Sequence, residues 1–297
     1  MSSSSLTPSV VSGAPRSILG EGPSWDEESG TLYWVDIKGG RVHWWNLSSG
    51  TFRTLDLKQT VSCVVPTRVK GKVMVTLKQS FAVLDLNSGS LSKVKEIRAS
   101  DRVRFNDGKC DPRGRFWAGT MDMEEREPLG SLYVLGSDMS LRGVVEKVTV
   151  SNGIGWSPDH SEMYYIDSPT RRIMVLDYDV DIGQVKDRGR RIDLSSYPGV
   201  PDGMTVDSEG KLWVALWGGN RVLRIEPSGR VIGEVKVPAL HVTSCVFGGA
   251  RLNTLFITTA QDDVNSPAKT EGPDGRLFMI DLEVPGAPTY PFSGRVA

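Results

Sequence analysis

The stretch PDGMTVDSEGKLWVALW, residues Pro201–Trp217, has the pattern of a short strand, a tight turn and a second short strand. Asp202 opens the first strand and is followed at once by Gly203. Ser208, Glu209 and Gly210 supply the turn, and residues 211–216 alternate in polarity as a half-buried strand does. The same unit recurs along the chain.

Five other segments follow this plan. Three open with a carboxylate or amide residue: EGPSWDEESGTLYWVD from Glu21, NDGKCDPRGRFWAGT from Asn106 and NGIGWSPDHSEMYYID from Asn152. Two open with serine instead: SCVVPTRVKGKVMVT from Ser62 and SCVFGGARLNTLFITT from Ser244. The openings, at residues 21, 62, 107, 152, 202 and 244, are about 41 to 50 residues apart, a period typical of propeller blades. No stretch combines a helical apolar period with capping residues. The sequence therefore predicts an all-β, six-bladed β-propeller of four-stranded antiparallel blades.

The domain boundaries follow from the polar N-terminus. We expect residues 1–12 to be a disordered segment and residues 13–297 to form one propeller domain. A ring of blades must close without leaving exposed strand edges. We therefore also expect the segment Val10–Ile18 to form a strand that pairs with strands of the last blade.

Composition narrows the classes of partner. The formal net charge is -1 and no Lys/Arg run forms a basic patch, so we expect no nucleic acid partner. No apolar run is long enough for a bilayer and no secretory signal is present, so we expect no membrane association. Three scattered cysteines among 297 residues give no disulfide framework, which favours a cytoplasmic location. The chain is expected to be a monomer or a weak homodimer.

Four polar residues are expected to occupy one position in the repeat. Glu21, Asp107, Asn152 and Asp202 each directly precede a glycine and lie about nine to eleven residues before the Leu, Phe or Met of the following strand. In a ring of blades, equivalent positions lie on one circle, so these side chains are expected at one end of the central channel. The alternative is that Asp-Gly and Asn-Gly are ordinary turn dipeptides.

Carboxylates that converge in a partly buried channel repel one another and lose hydration, which a divalent cation relieves. Glu21, Asp202 and the amide oxygen of Asn152 offer only hard oxygen ligands. This set favours one divalent metal ion in the central channel, namely calcium, magnesium or manganese. Zinc is less favoured because no His or Cys belongs to the set. Three protein ligands leave positions for water and substrate.

Longer motifs extend the pattern: GEGPSWD at Gly20, RFNDGKCDPRGRFWAGTM at Arg104, SNGIGWSPDH at Ser151, PDGMTVDSEGKLWVA at Pro201 and TSCVFGG at Thr243. In these motifs the chain resembles the SMP-30/gluconolactonase/luciferin-regenerating family over nearly its whole length. The resemblance implies a six-bladed propeller with one divalent ion that acts on a small-molecule sugar lactone.

The resemblance also implies roles for individual residues. Glu21, Asn152 and Asp202 match the metal ligands of the family, and Arg104, Asn106 and Glu124 match its substrate-binding positions. Asp107 matches a residue that lies near the metal without binding it. The loop 121–129 is shorter than in relatives where it forms a lid beside the sugar, which leaves the identity of the lactone open.

The resemblance implies a metal-dependent hydrolase that opens sugar lactones, and the chemistry of these residues fits that activity. The metal ion would polarise the lactone carbonyl for attack by water, and Asp202 is the expected general base. The alternative is a calcium-binding regulatory protein without a dedicated catalytic role. A calcium-binding regulatory protein does not need polar sugar-binding residues beside its ion, and the sequence contains no EF-hand loop.

Other reactive residue types lie outside this pattern. His43, His160 and His241 do not share the repeat position that faces the channel, so we do not expect them to be catalytic. Cys63 and Cys245 follow serines at matching positions and are expected to be small packing residues.

Overall fold

The computed structural model describes residues 7–267 and 270–296. Strands β1 to β24 form six four-stranded antiparallel sheets, which confirms the predicted all-β six-bladed propeller. The described residues contain no α-helix, and one 3-10 turn, Ser168–Thr170, follows β15. Within this part of the chain no helix has the length and apolar character that crossing a bilayer requires.

The first five blades each use four consecutive strands. Their bounds are β2 (Gly20–Asp26), β3 (Thr31–Asp36), β4 (Arg41–Asn46) and β5 (Thr51–Asp56) in blade one; β6 (Cys63–Pro66), β7 (Lys72–Thr76), β8 (Ser80–Asp85) and β9 (Leu91–Glu96) in blade two; β10 (Val103–Cys110), β11 (Phe116–Asp122), β12 (Gly130–Leu135) and β13 (Leu141–Val148) in blade three. Blade four has β14 (Ser151–Trp156), β15 (Glu162–Asp167), β16 (Arg172–Asp179) and β17 (Gln184–Asp193), and blade five has β18 (Val200–Val206), β19 (Leu212–Trp217), β20 (Arg221–Ile225) and β21 (Val231–Lys236).

Blade six joins the two ends of the chain. It consists of β22 (His241–Gly248), β23 (Thr254–Ala260), β24 (Phe278–Asp281) and β1 (Ser9–Val10). Ser9 pairs with Met279 and Val10 with Phe278, so the N-terminal segment closes the ring as predicted. The propeller therefore includes Ser9 and Val10, which the sequence-based boundary assigned to the disordered segment 1–12. Residues 1–6 of that segment lie outside the described residues.

The first strand of every blade lies innermost, since these strands contact one another around the axis. They are almost wholly buried, whereas the outermost strands β5 and β9 are largely exposed. Between the blades lie the aromatic residues that recur on the second strands. These residues, Trp34, Trp117, Tyr165 and Trp213, are at most 4% exposed, which confirms that they belong to the core.

Two buried aspartates join the inner strands of blades three and five to this core. Asp111 Oδ2 accepts from the indole Nε1 of Trp117 at 2.8 Å, and Asp207 Oδ2 accepts from Trp213 Nε1 at 3.0 Å. Each carboxylate also accepts backbone N–H groups of the turn that follows its strand. Buried indole donors are therefore paired in these two blades.

After β24 the chain crosses the carboxyl ends of several inner strands. Gly286 forms a bridge with Asp207, and the Thr289 hydroxyl donates to the carbonyl of Trp25 at 2.9 Å. Farther along, Phe292 pairs with Thr67 in blade two. This C-terminal segment, residues 284–296, thus lies across one end of the channel, which we call the lower end. The opposite end, where the inner strands begin, is the upper end.

Candidate active site

The inner strands of five blades are irregular near the upper end. Their pairing with the second strand shifts register between Glu21 and Ser24, Phe105 and Gly108, Ser151 and Ile154, Pro201 and Met204, and Val242 and Ser244. Such a β-bulge leaves residues outside the ladder and re-aims their side chains. Most of the polar residues singled out from the sequence lie in or beside these bulges.

The bulges correct one expectation from the sequence. Asn106, Asn152 and Asp202 are each the first unpaired residue of a bulge, so these three are equivalent. Glu21 is the last paired residue before its bulge, and Asp107 is the second residue of its own. The assignment of Glu21, Asp107, Asn152 and Asp202 to a single repeat position is therefore wrong by one residue for two of them. Counting back from the turn cannot detect the extra residue of a bulge.

The glycine after each polar residue allows a close approach between inner strands. A Cβ at Gly203 would lie 2.1 Å from the hydroxyl of Ser244, and one at Gly153 would lie 2.7 Å from the carbonyl of Asp202. Asp202 and Gly203 lie within β18, not in a turn. The Asp-Gly pair is thus explained by the packing of inner strands and not by turn geometry.

Three buried carboxylates lie near one another. Burial, followed by the charge of Asp107, raises the pKa of Glu21 to about 8. Burial, followed by the charge of Glu21 and then of Asp107, raises the pKa of Asp202 well above its usual range. Burial also raises the pKa of Asp107, whose Oδ1 accepts from Gly108 N at 2.7 Å. Their mutual repulsion shows that the negative charge at this end of the channel is only partly balanced by the protein.

Asn152 is held by a chain of hydrogen bonds. Its Nδ2 donates to the Ser168 hydroxyl at 2.8 Å, and that hydroxyl donates to the carbonyl of Pro201 at 2.6 Å. The Nδ2 of Asn106 donates to Asn152 Oδ1 at 3.0 Å. These bonds fix which end of the Asn152 amide carries the oxygen, and they leave that oxygen one further lone pair. Ser168 belongs to this site, although no role was predicted for it from the sequence.

Arg104 and Asn106 lie at the same end of the channel. Arg104 Nη1 donates to Asn106 Oδ1 at 2.8 Å and to the carbonyl of Phe105 at 2.8 Å. Burial lowers the pKa of the half-buried Arg104 guanidinium to about 10, so the group stays charged at neutral pH. Asn106 links Arg104 to Asn152, so its side chain also serves the arrangement of the other polar groups.

Glu124 lies beside Arg102 in the structure. This side chain is half exposed and points to Arg102, with Oε2 3.5 Å from the Arg102 guanidinium. The charge of the next residue, Glu125, is instead the largest attractive influence on Arg104, and it also raises the pKa of Asp202. Glu125 has a left-handed backbone with φ of 58°. Glu125 is therefore the loop carboxylate whose charge acts on Arg104, whereas Glu124 pairs with Arg102.

Lys109 lies deeper in the channel. Its Nζ donates to the carbonyl of Met204 at 2.6 Å. Burial lowers the pKa of this lysine, whereas the nearby charge of Asp107 acts in the opposite direction. Lys109 thus supplies the positive charge on the inner side of Asp107.

The upper-end residues have the properties of a cation site. Asp202 Oδ1 is buried and has no hydrogen-bond partner, an arrangement that is costly unless a ligand occupies it. Within residues 7–267 and 270–296 no group of three His, Cys, Asp or Glu side chains suits a metal ion. The oriented Oδ1 of Asn152 is a further oxygen donor at this end of the channel, linked to the Asp202 strand through Ser168. Two carboxylates and an amide oxygen fit a hard divalent cation.

The histidines and cysteines lie outside this group. His43 is buried in blade one, where its Nδ1 bonds with the Thr54 hydroxyl at 2.8 Å and burial lowers its pKa to about 4. Burial raises the pKa of the Cys63 thiol and raises that of Cys245 to about 12. A raised pKa disfavours the thiolate that a nucleophile needs.

Comparison with known proteins identifies the family. The sequence profile of the SMP-30/Gluconolactonase/LRE-like region matches residues 19–261. The chain belongs to this family. The Bacillus subtilis protein YvrE, named as a sugar lactone lactonase, is 41% identical over 290 residues, which cover 97% of this chain and 99% of YvrE. Regucalcin from Danio rerio is 39% identical over 281 residues, 93% of this chain and 95% of that protein.

Solved structures of the SMP-30/gluconolactonase family share the whole fold. A calcium-binding protein, regucalcin from Agrobacterium tumefaciens, superimposes with a TM-score of 0.87 at 28% identity and covers 98% of each chain. Lactone hydrolysis is thus an activity named within the family, and calcium binding is named for another member. The profile match spans Glu21, Arg104, Asn152 and Asp202, so the upper end of the channel falls within the region that defines the family.

Proposed function

We propose that this protein is a metal-dependent hydrolase of sugar lactones whose site lies at the upper end of the channel. Glu21, Asn152 and Asp202 would hold one divalent cation. The observation that carries the proposal is the buried, unpartnered Oδ1 of Asp202 beside a second buried carboxylate and an oriented amide oxygen. The lactonase name of the Bacillus subtilis relative supports the reaction class.

The donor chemistry ranks the ions. Three oxygen donors without nitrogen or sulfur favour calcium, magnesium or manganese, and zinc is the weaker candidate. Two carboxylates neutralise a 2+ charge, so loading the site removes the repulsion between Glu21 and Asp202. When bound, the ion would polarise the lactone carbonyl and stabilise the charge that develops on its oxygen.

Residues of the chain would perform the remaining steps. Asp202 would take a proton from the attacking water, so that the water oxygen forms a bond to the lactone carbonyl carbon. The ring carbon–oxygen bond then breaks, and the same carboxyl would return the proton to the departing ring oxygen. The products balance as one hydroxy acid from one lactone and one water.

Arg104 and Glu125, at the upper end of the channel, would orient the sugar. Arg104 uses Nη1 within the protein, and the rest of its guanidinium is available to the hydroxyl groups of a substrate. Glu125 can accept hydrogen bonds from hydroxyl groups, because its carboxylate lies on an exposed loop that faces Arg104. A donor and an acceptor on one side of the ion suit a polyhydroxylated ester.

The test is lactone hydrolysis by metal-stripped protein with calcium, magnesium, manganese and zinc returned one at a time. Gluconolactone is the first substrate, and its uncatalysed opening is subtracted. We expect activity to return with a hard divalent ion in the wild type and not in Glu21→Gln. The matched control is Glu28→Gln, which removes an exposed carboxylate from the neighbouring turn. Restored activity in Glu21→Gln equal to that of the control would refute the proposed metal site.

The second candidate is a calcium-binding regulatory protein, because the Agrobacterium relative is named as a calcium-binding protein. The same oxygen donors would serve both roles. The candidates differ at Arg104 and Glu125, which a calcium buffer does not need. Tight calcium binding without turnover of gluconolactone or related aldonolactones would favour the regulatory role.

A further inference from the structure

Lys109 is a charged residue of the inner strands that the proposed hydrolysis does not use. It lies on β10 of blade three, just below the bulge that carries Asn106 and Asp107. Its Nζ donates to the carbonyl of Met204, the first paired residue after the bulge of β18 in blade five, at 2.6 Å. Blades three and five are not neighbours, because the inner strand β14 of blade four lies between them. The side chain of Lys109 therefore spans the channel directly below the proposed lactone site.

The inner strand of blade four leaves room for this crossing. It has Gly153 and Gly155 where it approaches β18. A Cβ at Gly153 would lie 3.0 Å from Met204 Cγ, and one at Gly155 would lie 2.9 Å from Val206 Cγ2. Because these two positions carry no side chain, β14 and β18 approach each other closely. The four-carbon stem of Lys109 is then long enough to reach Met204 past blade four.

The ammonium of Lys109 has its acidic neighbour on the upper side. The charge of Asp107 is the largest attractive influence on Lys109. In turn, the charge of Lys109 is the largest influence that favours the ionised form of Asp107 against burial. A cavity of about 250 Å³ below Lys109 also borders its side chain, and among the described residues its lining contains no Asp or Glu. Lys109 thus serves as the counter-charge of Asp107.

The charge of Asp107 links Lys109 to the proposed cation site. Asp107 repels both Glu21 and Asp202, the two carboxylates of that site. These three carboxylates face two positive side chains, Arg104 and Lys109, so one negative charge is left uncompensated. A 2+ ion changes this balance to one positive charge, and a 3+ ion changes it to two. Because uncompensated charge that is removed from water raises the free energy, the charge of Lys109 disfavours the more highly charged ion.

We propose that Lys109 is an internal counter-ion that lowers the affinity of the upper-end site for trivalent cations relative to divalent cations. It is a positioning residue, which acts through Asp107 and through the carbonyl of Met204 and contacts neither the ion nor the lactone. The role of Lys109 rests on the proposed function, because it requires the cation site at the upper end of the channel.

Calorimetry on the metal-stripped, full-length protein measures the binding of calcium and of terbium, two ions of similar size and different charge. Lys109→Met keeps most of the side-chain volume and removes the charge, so the ratio of terbium to calcium affinity should rise about threefold to tenfold. Lys109→Arg keeps the charge and should retain the wild-type ratio. The matched control is Lys186→Met, which removes an equal charge from the exposed outer strand of blade four and should leave the ratio unchanged.

Asp107→Asn gives a second measurement that leaves Lys109 in place and decides the matter even where Lys109→Met does not fold. It removes one negative charge, so the ratio of terbium to calcium affinity should fall by a similar factor. An unchanged ratio in Lys109→Met, an equal rise in Lys109→Arg or Lys186→Met, or an unchanged or raised ratio in Asp107→Asn would each overturn the role of Lys109 alone. A wild type that binds neither ion, or Glu21→Gln that binds both as tightly as the wild type, would refute the proposed metal site and the role of Lys109 together.

Discussion

The two ends of the central channel are built from the same six inner strands but present different chemistry. At the upper end the bulges bring together carboxylates and amides whose hydrogen bonds link neighbouring blades. At the lower end the same strands run regularly, and their side chains are mainly apolar with unpaired indole donors. Because a bulge changes the direction of a side chain, one irregularity per strand is enough to make the two ends differ.

The largest expected effect tests the upper end. Asp202→Asn keeps the size and an oxygen donor but removes the proposed base, so kcat/KM for gluconolactone should fall by roughly 10²- to 10⁴-fold. Metal binding is measured alongside by calorimetry. A variant that binds the ion and retains most of its activity would show that Asp202 is not the base.

The buried residue His43, which lies away from both ends of the channel, makes the stability of the protein depend on pH. The folded-state pKa of His43 is about 4 against 6.5 for an unperturbed histidine, because burial disfavours its charged form. Below pH 6.5 His43 binds a proton in the unfolded chain but stays neutral in the folded protein. The free energy of unfolding is therefore highest above pH 6.5 and decreases as the pH falls toward 4. The loss between pH 7 and pH 5 is about 2 kcal/mol.

Urea unfolding at both pH values measures this loss. His43→Gln should show a smaller loss than the wild type, and His160→Gln, which removes a partly exposed histidine, should behave like the wild type. Equal losses in all three proteins would assign the pH dependence to other groups.

Paired and unpaired indoles provide the next test. Trp213→Phe removes the bond to buried Asp207 and is expected to destabilise the protein by about 1–3 kcal/mol beyond the lost ring area. Trp156→Phe removes a similar ring area but an unpaired donor, so it should cost less. Chemical unfolding of both variants gives the comparison. A larger cost for Trp156→Phe would mean that its indole is paired in solution.

The smallest expected effect is a change in KM caused by substitution of Glu125, in the loop at the upper end of the channel. Glu125→Gln should raise KM for gluconolactone about tenfold, since one charged hydrogen bond to the sugar is weakened. Glu124→Gln, next to it in the chain, should change KM little because Glu124 faces Arg102. Steady-state kinetics of the two variants decide between the residues, and the reverse ranking would restore the role first implied for Glu124.

Much of the fold and part of the site could be predicted from the sequence. The recurring strand–turn–strand unit of Pro201–Trp217 predicts the propeller because its period and alternation depend on local chain geometry. The candidate residues Glu21, Arg104, Asn106, Asn152 and Asp202 also lie at one end of the channel in the structure. The pairing of Glu124 with Arg102 and the influence of Glu125 on Arg104 could not be predicted, since both depend on the conformation of a short loop in which Glu125 is left-handed.

The sequence by itself determined the number of blades, the closure of the ring by the N-terminal segment and the polar residues of the inner strands, because these follow from repeats and residue chemistry. The tertiary structure alone decided the register of each bulge, the Ser168 bond that orients Asn152 and the separation of a polar upper end from an apolar lower end. These features depend on contacts between blades that are far apart in the chain, and no local pattern encodes such contacts.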